Sequence, residues 1–159
     1  MEETLALFPD YAEAWNNLGV QRLKLGDLSA AAEAFSRGIE INPHLPRLKI
    51  NLATARLNQH RYGEAAKLAN EALALEGSPA AHYTLGAALL LGGEELDRAV
   101  EHLRRGADVF PRAHAMLAEA ALRRGDQAQA LKELEQYLPR APEPLKAEVR
   151  ARISALREE

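Results

Sequence analysis

The 159-residue chain has no cysteine, so disulfides and thiolate metal sites are excluded from the outset. Aromatic residues are scarce at 5%, and a buried core must therefore be assembled mainly from alanine and leucine. These are strong helix formers, and their long mixed stretches with Glu and Arg point to an all-helical protein. Neither sign of charge dominates. Twenty Lys and Arg face 23 Asp and Glu, for a formal net charge of −3 and no basic stripe that would neutralise phosphates. A nucleic-acid partner is thereby disfavoured. No apolar run approaches the ~20 residues a membrane-spanning helix needs, so no membrane partner is expected. The opening Met1-Glu2-Glu3-Thr4 is acidic where a signal peptide would be basic, which favours a cytoplasmic setting.

What the chain does have is periodicity. Pro9 and Pro43 stand 34 residues apart, and Pro43 and Pro111 stand 68 apart, twice that interval. Ala31, Ala65 and Ala99 repeat at 34, while Leu18, Leu52, Leu85 and Leu117 follow at steps of 34, 33 and 32. Three series in one register indicate a repeat architecture. Each period holds two helical stretches, the first over 11–25, 46–59, 79–92 and 111–124, the second over 28–41, 62–75, 95–109 and 127–139. Asp10 and Glu13 read as a capping pair before the first helix. Gly26-Asp27 and Gly125-Asp126 each combine a left-handed stop with the next helix's N-cap. Ser78-Pro79 places a cap residue before a proline suited to the first helical position. Such short turns make the two helices of a unit antiparallel neighbours.

The first period reads Ala14-Trp15-Asn16-Asn17-Leu18-Gly19, Leu25-Gly26-Asp27, Ala31, Ala34-Phe35, Gly38-Ile39 and Asn42-Pro43. In order and spacing it resembles the tetratricopeptide repeat family, whose signature runs W-x2-L-G, G-D, A-x3-F and P. Gly19, Ala31 and Gly38 are small where helices would cross, and Trp15, Leu18 and Phe35 would fill the space between them. The later periods are looser copies. They are marked by Leu52-Ala53, Ala65 and Ala72, then by Leu85-Gly86, Ala99 and Gly106, then by Leu117-Ala118, Gly125-Asp126 and Ala130. Trp15 is replaced in turn by Lys49, His82 and His114. Arg22 and Arg56 stand where an aromatic is usual, and Tyr137 where a small residue is. The turn Leu91-Gly92-Gly93-Glu94-Glu95 carries an extra residue, and Pro111 is expected both to end one helix and to start the next, distorting the superhelix locally.

The resemblance implies an all-α, right-handed α-solenoid of antiparallel helix pairs with four such units over 10–142 (about 12–45, 46–78, 79–110 and 111–142). Residues 1–9 read as the remnant of a preceding repeat helix. Residues 143–159 read as a C-terminal capping helix, with Leu145, Val149, Ile153 and Leu156 on one stripe and Glu148, Arg150, Arg152 and Arg157 largely away from it.

No constellation for catalysis emerges. No two of the five histidines (His44, His60, His82, His102 and His114) sit four apart as helical zinc ligands commonly do, although His82 and His114 take equivalent places and are candidates to approach. Ser29, Ser36, Ser78 and Ser154 lack an elbow of glycines. Gly92-Gly93 has neither the strand nor the Lys-Ser/Thr of a phosphate loop. Glu94-Glu95 and Glu133/Glu135 read as solvated surface. Neither enzyme activity, nor a cofactor, nor a metal is expected.

The resemblance further implies a concave wall lined by the first helix of each unit. Helical spacing puts Asn16, Val20 and Lys24 there, then Arg47, Asn51, Thr54 and Asn58, then Tyr83 and Ala87, then Arg112, Glu119 and Arg123. Asparagine is a mediocre helix residue, and its amide can pair with the backbone of an extended peptide, so a protein or peptide partner is expected. Chaperone-binding members of the family hold a terminal carboxylate with Lys, Asn and Arg residues. Asn51 fits that set, but Asn16, Val20, Ala80 and Thr84 stand where Lys, Asn, Lys and Arg would be required. Arg47, Arg112 and Arg123 suit an acidic segment, with Val20 and Tyr83 as apolar anchors. The competing expectation is a self-assembling or spacer module that forms homo-oligomers through its uncapped N-terminal edge. Light scattering over a concentration series separates the two.

Overall fold

The computed structural model describes residues 11–93 and 95–158. The 1–9 remnant, the Asp10 cap and Glu94 of the lengthened turn lie outside the described residues. The chain forms paired helices: α1 (Ala12–Lys24) with α2 (Leu28–Ile41), α3 (Pro46–Asn58) with α4 (Tyr62–Leu75), α5 (Pro79–Gly92) with α6 (Leu96–Gly106), and α7 (Arg112–Arg123) with α8 (Gln127–Tyr137). A 3-10 turn over Leu138–Arg140 leads into α9 (Glu143–Glu158). The assembly is an all-α, right-handed solenoid of four repeat units closed by a C-terminal helix.

Local chemistry sets the boundaries. Gly26 and Gly125 adopt φ of +79° and +74°, a left-handed geometry that costs a residue without Cβ nothing. Directly after them, the carboxylates of Asp27 and Asp126 accept the amides of Ala30 and Gln129 at 3.1 and 2.9 Å. Ser78 accepts the Ala81 amide at 3.3 Å, with Pro79 opening α5.

Three expectations at helix ends are corrected. First, α6 ends at Gly106 rather than 109, because the Val109 and Phe110 amides both donate to the Gly106 carbonyl and wind the chain into a turn. Second, Pro111 therefore only introduces α7 and does not also end α6. Third, α8 ends at Tyr137 rather than 139, since Pro139 has no amide to continue the ladder. The extra residue of the third turn is absorbed by two left-handed positions, Gly93 (φ +78°) and Glu95 (φ +49°).

Every helix packs on its neighbours in sequence, but packing between units is one-sided. The first helices α1, α3, α5 and α7 touch each other in succession. The second helices α2, α4, α6 and α8 stand farther apart, with no Cα atoms of two of them within 8 Å among the described residues. The first helices therefore form the concave wall and the second helices the convex one. Helix α5, in the middle, is buried on nearly every side, from Thr84 through Leu90.

Close glycine crossings hold the first and third pairs together. A Cβ on Gly86 of α5 would stand 2.8 Å from the Leu103 amide nitrogen of α6. A Cβ on Gly106 of α6 would stand 2.9 Å from Tyr83 Cβ of α5. Phe35 fills the equivalent crossing against Gly19 and is fully buried, whereas Trp15 and Leu18 are only half-buried. At the C-terminal end Val149 and Ile153 of α9 are buried with Leu134 and Tyr137 of α8. Leu145 stays 41% exposed, so the capping stripe is shorter than its sequence period suggests. Arg152 and Arg157 tie α9 back to Glu119 and Glu135 at 3.0 and 2.7 Å.

The crossing yields a direct test. Gly86→Ala is expected to cost about 1–3 kcal/mol in denaturant unfolding, because the added methyl meets backbone. Gly63→Ala, where nothing lies within 4 Å, is expected to be neutral or stabilising by up to ~1 kcal/mol.

Candidate functional site

The concave wall encloses a pocket of about 580 Å³ between α3, α5 and α7, closed at one side by the α3–α4 turn and the start of α4. Six of the twelve residues expected on this wall border it: Thr54, Asn58, Tyr83, Ala87, Arg112 and Glu119. Their roles differ. Ala87 has no exposed surface and forms the floor without being available for contact. The Thr54 hydroxyl donates back to the Ile50 carbonyl at 2.9 Å. Tyr83 is half-buried and stacks on Phe110 with ring centroids 4.8 Å apart. Burial raises its phenol above the ordinary 10.0, while the nearby Arg112 guanidinium pulls the other way.

Two of the charged wall residues are committed to the scaffold. Glu119 accepts from Arg152 at 3.0 Å and lies 3.4 Å from Arg123 Nε. Arg123 Nη1 also donates to the Leu90 carbonyl at 2.9 Å, bridging α7 to α5. Arg112, by contrast, is exposed on the pocket rim and makes no ion pair or side-chain hydrogen bond among the described residues.

The remaining wall residues lie outside the pocket. Asn16 is 4% exposed, and its Oδ1 accepts from Asn51 Nδ2 at 2.7 Å. The two asparagines expected to meet a ligand thus first satisfy each other across α1 and α3. Val20 packs partly into the first core cluster, and Lys24 and Arg47 are exposed.

Sequence spacing missed the pocket's other half. Leu57, His60, Tyr62, Leu90, Leu91, Ala115 and Met116 also line it. His60 comes from the α3–α4 turn and Tyr62 opens α4, both outside any first-helix stripe. His60 adopts a left-handed φ of +59° where the corresponding turns use Gly26, Gly93 and Gly125, and its Nδ1 lies 2.8 Å from the Tyr62 hydroxyl. A non-glycine residue at a glycine place in the 34-residue register was the available signal.

The expected approach of His82 and His114 is also corrected. Each turns to the second helix of its own unit: His82 to His102 (Nδ1 to Nδ1, 2.8 Å) and His114 to Glu133 (Nδ1 to Oε2, 2.7 Å). Glu133, read as solvated surface, is only 6% exposed and also accepts from Gln129 at 2.6 Å. Lys49 behaves alike, donating to Glu71 at 2.6 Å. Where the first unit has Trp15, each later unit has a polar pair joining its two helices. Among the described residues no group of three or more His, Cys, Asp or Glu side chains converges as a metal site.

Profiles described as Tetratricopeptide repeat match residues 12–45, 50–95 and 89–143. Among curated proteins, the Hsp70-Hsp90 organizing protein of Triticum aestivum is 40% identical over 55 residues. That match covers 35% of this chain and only 10% of that protein. Among solved structures, PilW, a widely conserved type IV pilus biogenesis factor, superposes with a TM-score of 0.84 at 20% identity, covering 98% of this chain and 74% of that one. The first TPR of Spaghetti (RPAP3) bound to HSP90 peptide SRMEEVD gives a TM-score of 0.67 at 23% identity, covering 72% and 96% respectively. At these identities both structures establish the shared fold.

The asparagine pair generates a prediction. Asn51→Ala strands the buried Asn16 carbonyl and is expected to cost about 1–3 kcal/mol of stability. The Asn16→Ala, Asn51→Ala double variant is expected to cost less than the sum of the two singles in urea titrations, the signature of a coupled pair.

Proposed function

The chain belongs to the tetratricopeptide repeat family, and from that premise we propose that it is a protein–protein interaction scaffold that seats a segment of its partner in the concave groove. The observation that carries this reading is the pocket in the middle of the wall. Its volume falls within the range of ligand clefts, roughly 300–1,000 Å³. Leu57, Tyr83, Leu91 and Met116 supply apolar lining, and a methionine among aromatics adapts well to varied side chains. The rim carries Arg112, a cation without a counter-charge among the described residues.

The chemistry that fits is a partner segment with a bulky apolar side chain for the pocket and a carboxylate beside it for Arg112. An exposed ion pair contributes only about 0–1 kcal/mol, so the apolar anchor has to supply most of the affinity. The carboxylate-holding set of chaperone-binding relatives is not reproduced. Val20 and Ala80 carry no polar group, and Asn16 and Thr84 are both 4% exposed. The partner is therefore of a different kind from a chaperone tail held in that way. The site offers complementarity and no assembled nucleophile, base and oxyanion donors, which fits binding rather than catalysis.

Selection of a randomised peptide library on the immobilised protein tests the reading. Enriched peptides are expected to combine a large apolar residue with Asp or Glu, and to bind at least about tenfold more weakly to Tyr83→Ala. Arg112→Ala is expected to flatten the salt dependence of binding. Enrichment without that pattern, or undiminished binding to Tyr83→Ala, overturns it.

A further inference from the structure

The polar pair of the third unit differs in kind from its counterparts. Lys49–Glu71 and His114–Glu133 join a donor to a carboxylate, which is an acceptor only. His82 and His102 set two like groups Nδ1 to Nδ1 at 2.8 Å, with rings stacked at 27° and centroids 5.1 Å apart. Such a contact works only when one ring presents Nδ1–H and the other its Nδ1 lone pair. A single added proton can be shared. A second leaves two N–H groups facing each other and two like charges in a half-buried space.

We propose that His82–His102 is a pH-sensitive latch between α5 and α6, closed at neutral pH and released on mild acidification. What it holds is the crossing already described, where Gly86 meets Leu103 and Gly106 meets Tyr83. Tyr83 is the next residue after His82 and stacks on Phe110, just beyond α6. Release therefore loosens the part of the third unit that builds one wall of the groove pocket. This last consequence rests on the binding role proposed above, whereas the latch itself does not.

The surroundings work in the same direction. Burial, above all, lowers both imidazoles from their ordinary 6.5. Next, Arg105 lowers His82, and His82 lowers His102, with smaller contributions to His102 from Arg98 and Arg105. Only Glu101 opposes, raising both. Apart from His82 itself, the charges among the described residues that bear on the pair all lie on α6, and α3, α4 and α7, packed alongside, contribute none of them. A histidine with a depressed folded pKa binds more protons when unfolded. Its stabilising contribution is thus complete above about pH 6.5 and is lost as pH falls through the depressed folded values.

The test uses the whole chain. Amide hydrogen exchange in α5 and α6, corrected for intrinsic rates, is compared at about pH 7.5 and about pH 5, alongside NMR titration of the histidine rings. Opening of the third unit is expected to rise on acidification by about tenfold for each unit of depression summed over the two rings. The rise is expected to exceed that of α1 and α2. His102→Asn keeps a hydrogen-bonding group near the former Nδ1 and cannot titrate, so it is expected to reduce the increase to the share that His82 carries alone. His82→Asn provides the same comparison should the first variant fold poorly. Titration of both rings at or above 6.5, or an equal rise in wild type and the asparagine variants, overturns the latch. Peptides from the library selection separate this inference from the groove reading. If wild type binds them equally at both pH values while third-unit opening still rises, the latch stands and its consequence for the groove fails.

Discussion

Everything in this molecule depends on how closely the two helices of a unit approach. With few aromatics to fill wide gaps, the chain brings backbones together where a glycine of one helix receives a bulky residue of its partner: Gly19 against Phe35, Gly86 against Leu103, Gly106 against Tyr83. Dispersion between atoms in such crossings is small per pair but large in sum, and it is forfeited quickly by any added methyl. The same economy extends between units, since Gly38 of α2 receives Leu48 of α3. One device thus serves within the first and third pairs and again between the first two units.

The place of Trp15 shows what happens where that device is relaxed. A tryptophan at this place contributes chiefly apolar area. Lys49, His82 and His114 at the equivalent places form polar pairs with Glu71, His102 and Glu133. Buried or half-buried polar pairs are a weak source of net stability, because desolvation offsets much of what the contact contributes. Each later unit carries a different polar contact between its two helices.

The fold was almost wholly legible in the sequence, because repeats expose their own register. Gly26, Ser78 and Gly125 marked turns through backbone chemistry that acts locally, and those boundaries stand where expected. The shorter α6 was harder to foresee. Its last turn is lost to a rearrangement around the Gly106 carbonyl that depends on where Pro111 must begin α7. The site was legible by halves. Spacing along the first helices placed Tyr83, Asn58 and Arg112 at the pocket, since those positions are fixed by helical geometry alone. His60 and Tyr62 escaped because they lie outside the first helices, whereas Met116 stands four residues after Arg112 on that same stripe and was within reach of the spacing. Burial of Glu133 was invisible because a carboxylate reads as surface until the imidazole facing it is known.

One consequence of the one-sided packing concerns mechanics. The inner helices approach one another closely from unit to unit, while successive outer helices stand farther apart. The array is therefore built like the spine of a book, with its pages free at the outer edge. Bending is expected to concentrate on the convex side, where successive outer helices are less closely packed, and to conserve the length of the inner wall. A segment lodged in the wall would act on the curvature of the whole array through that spine.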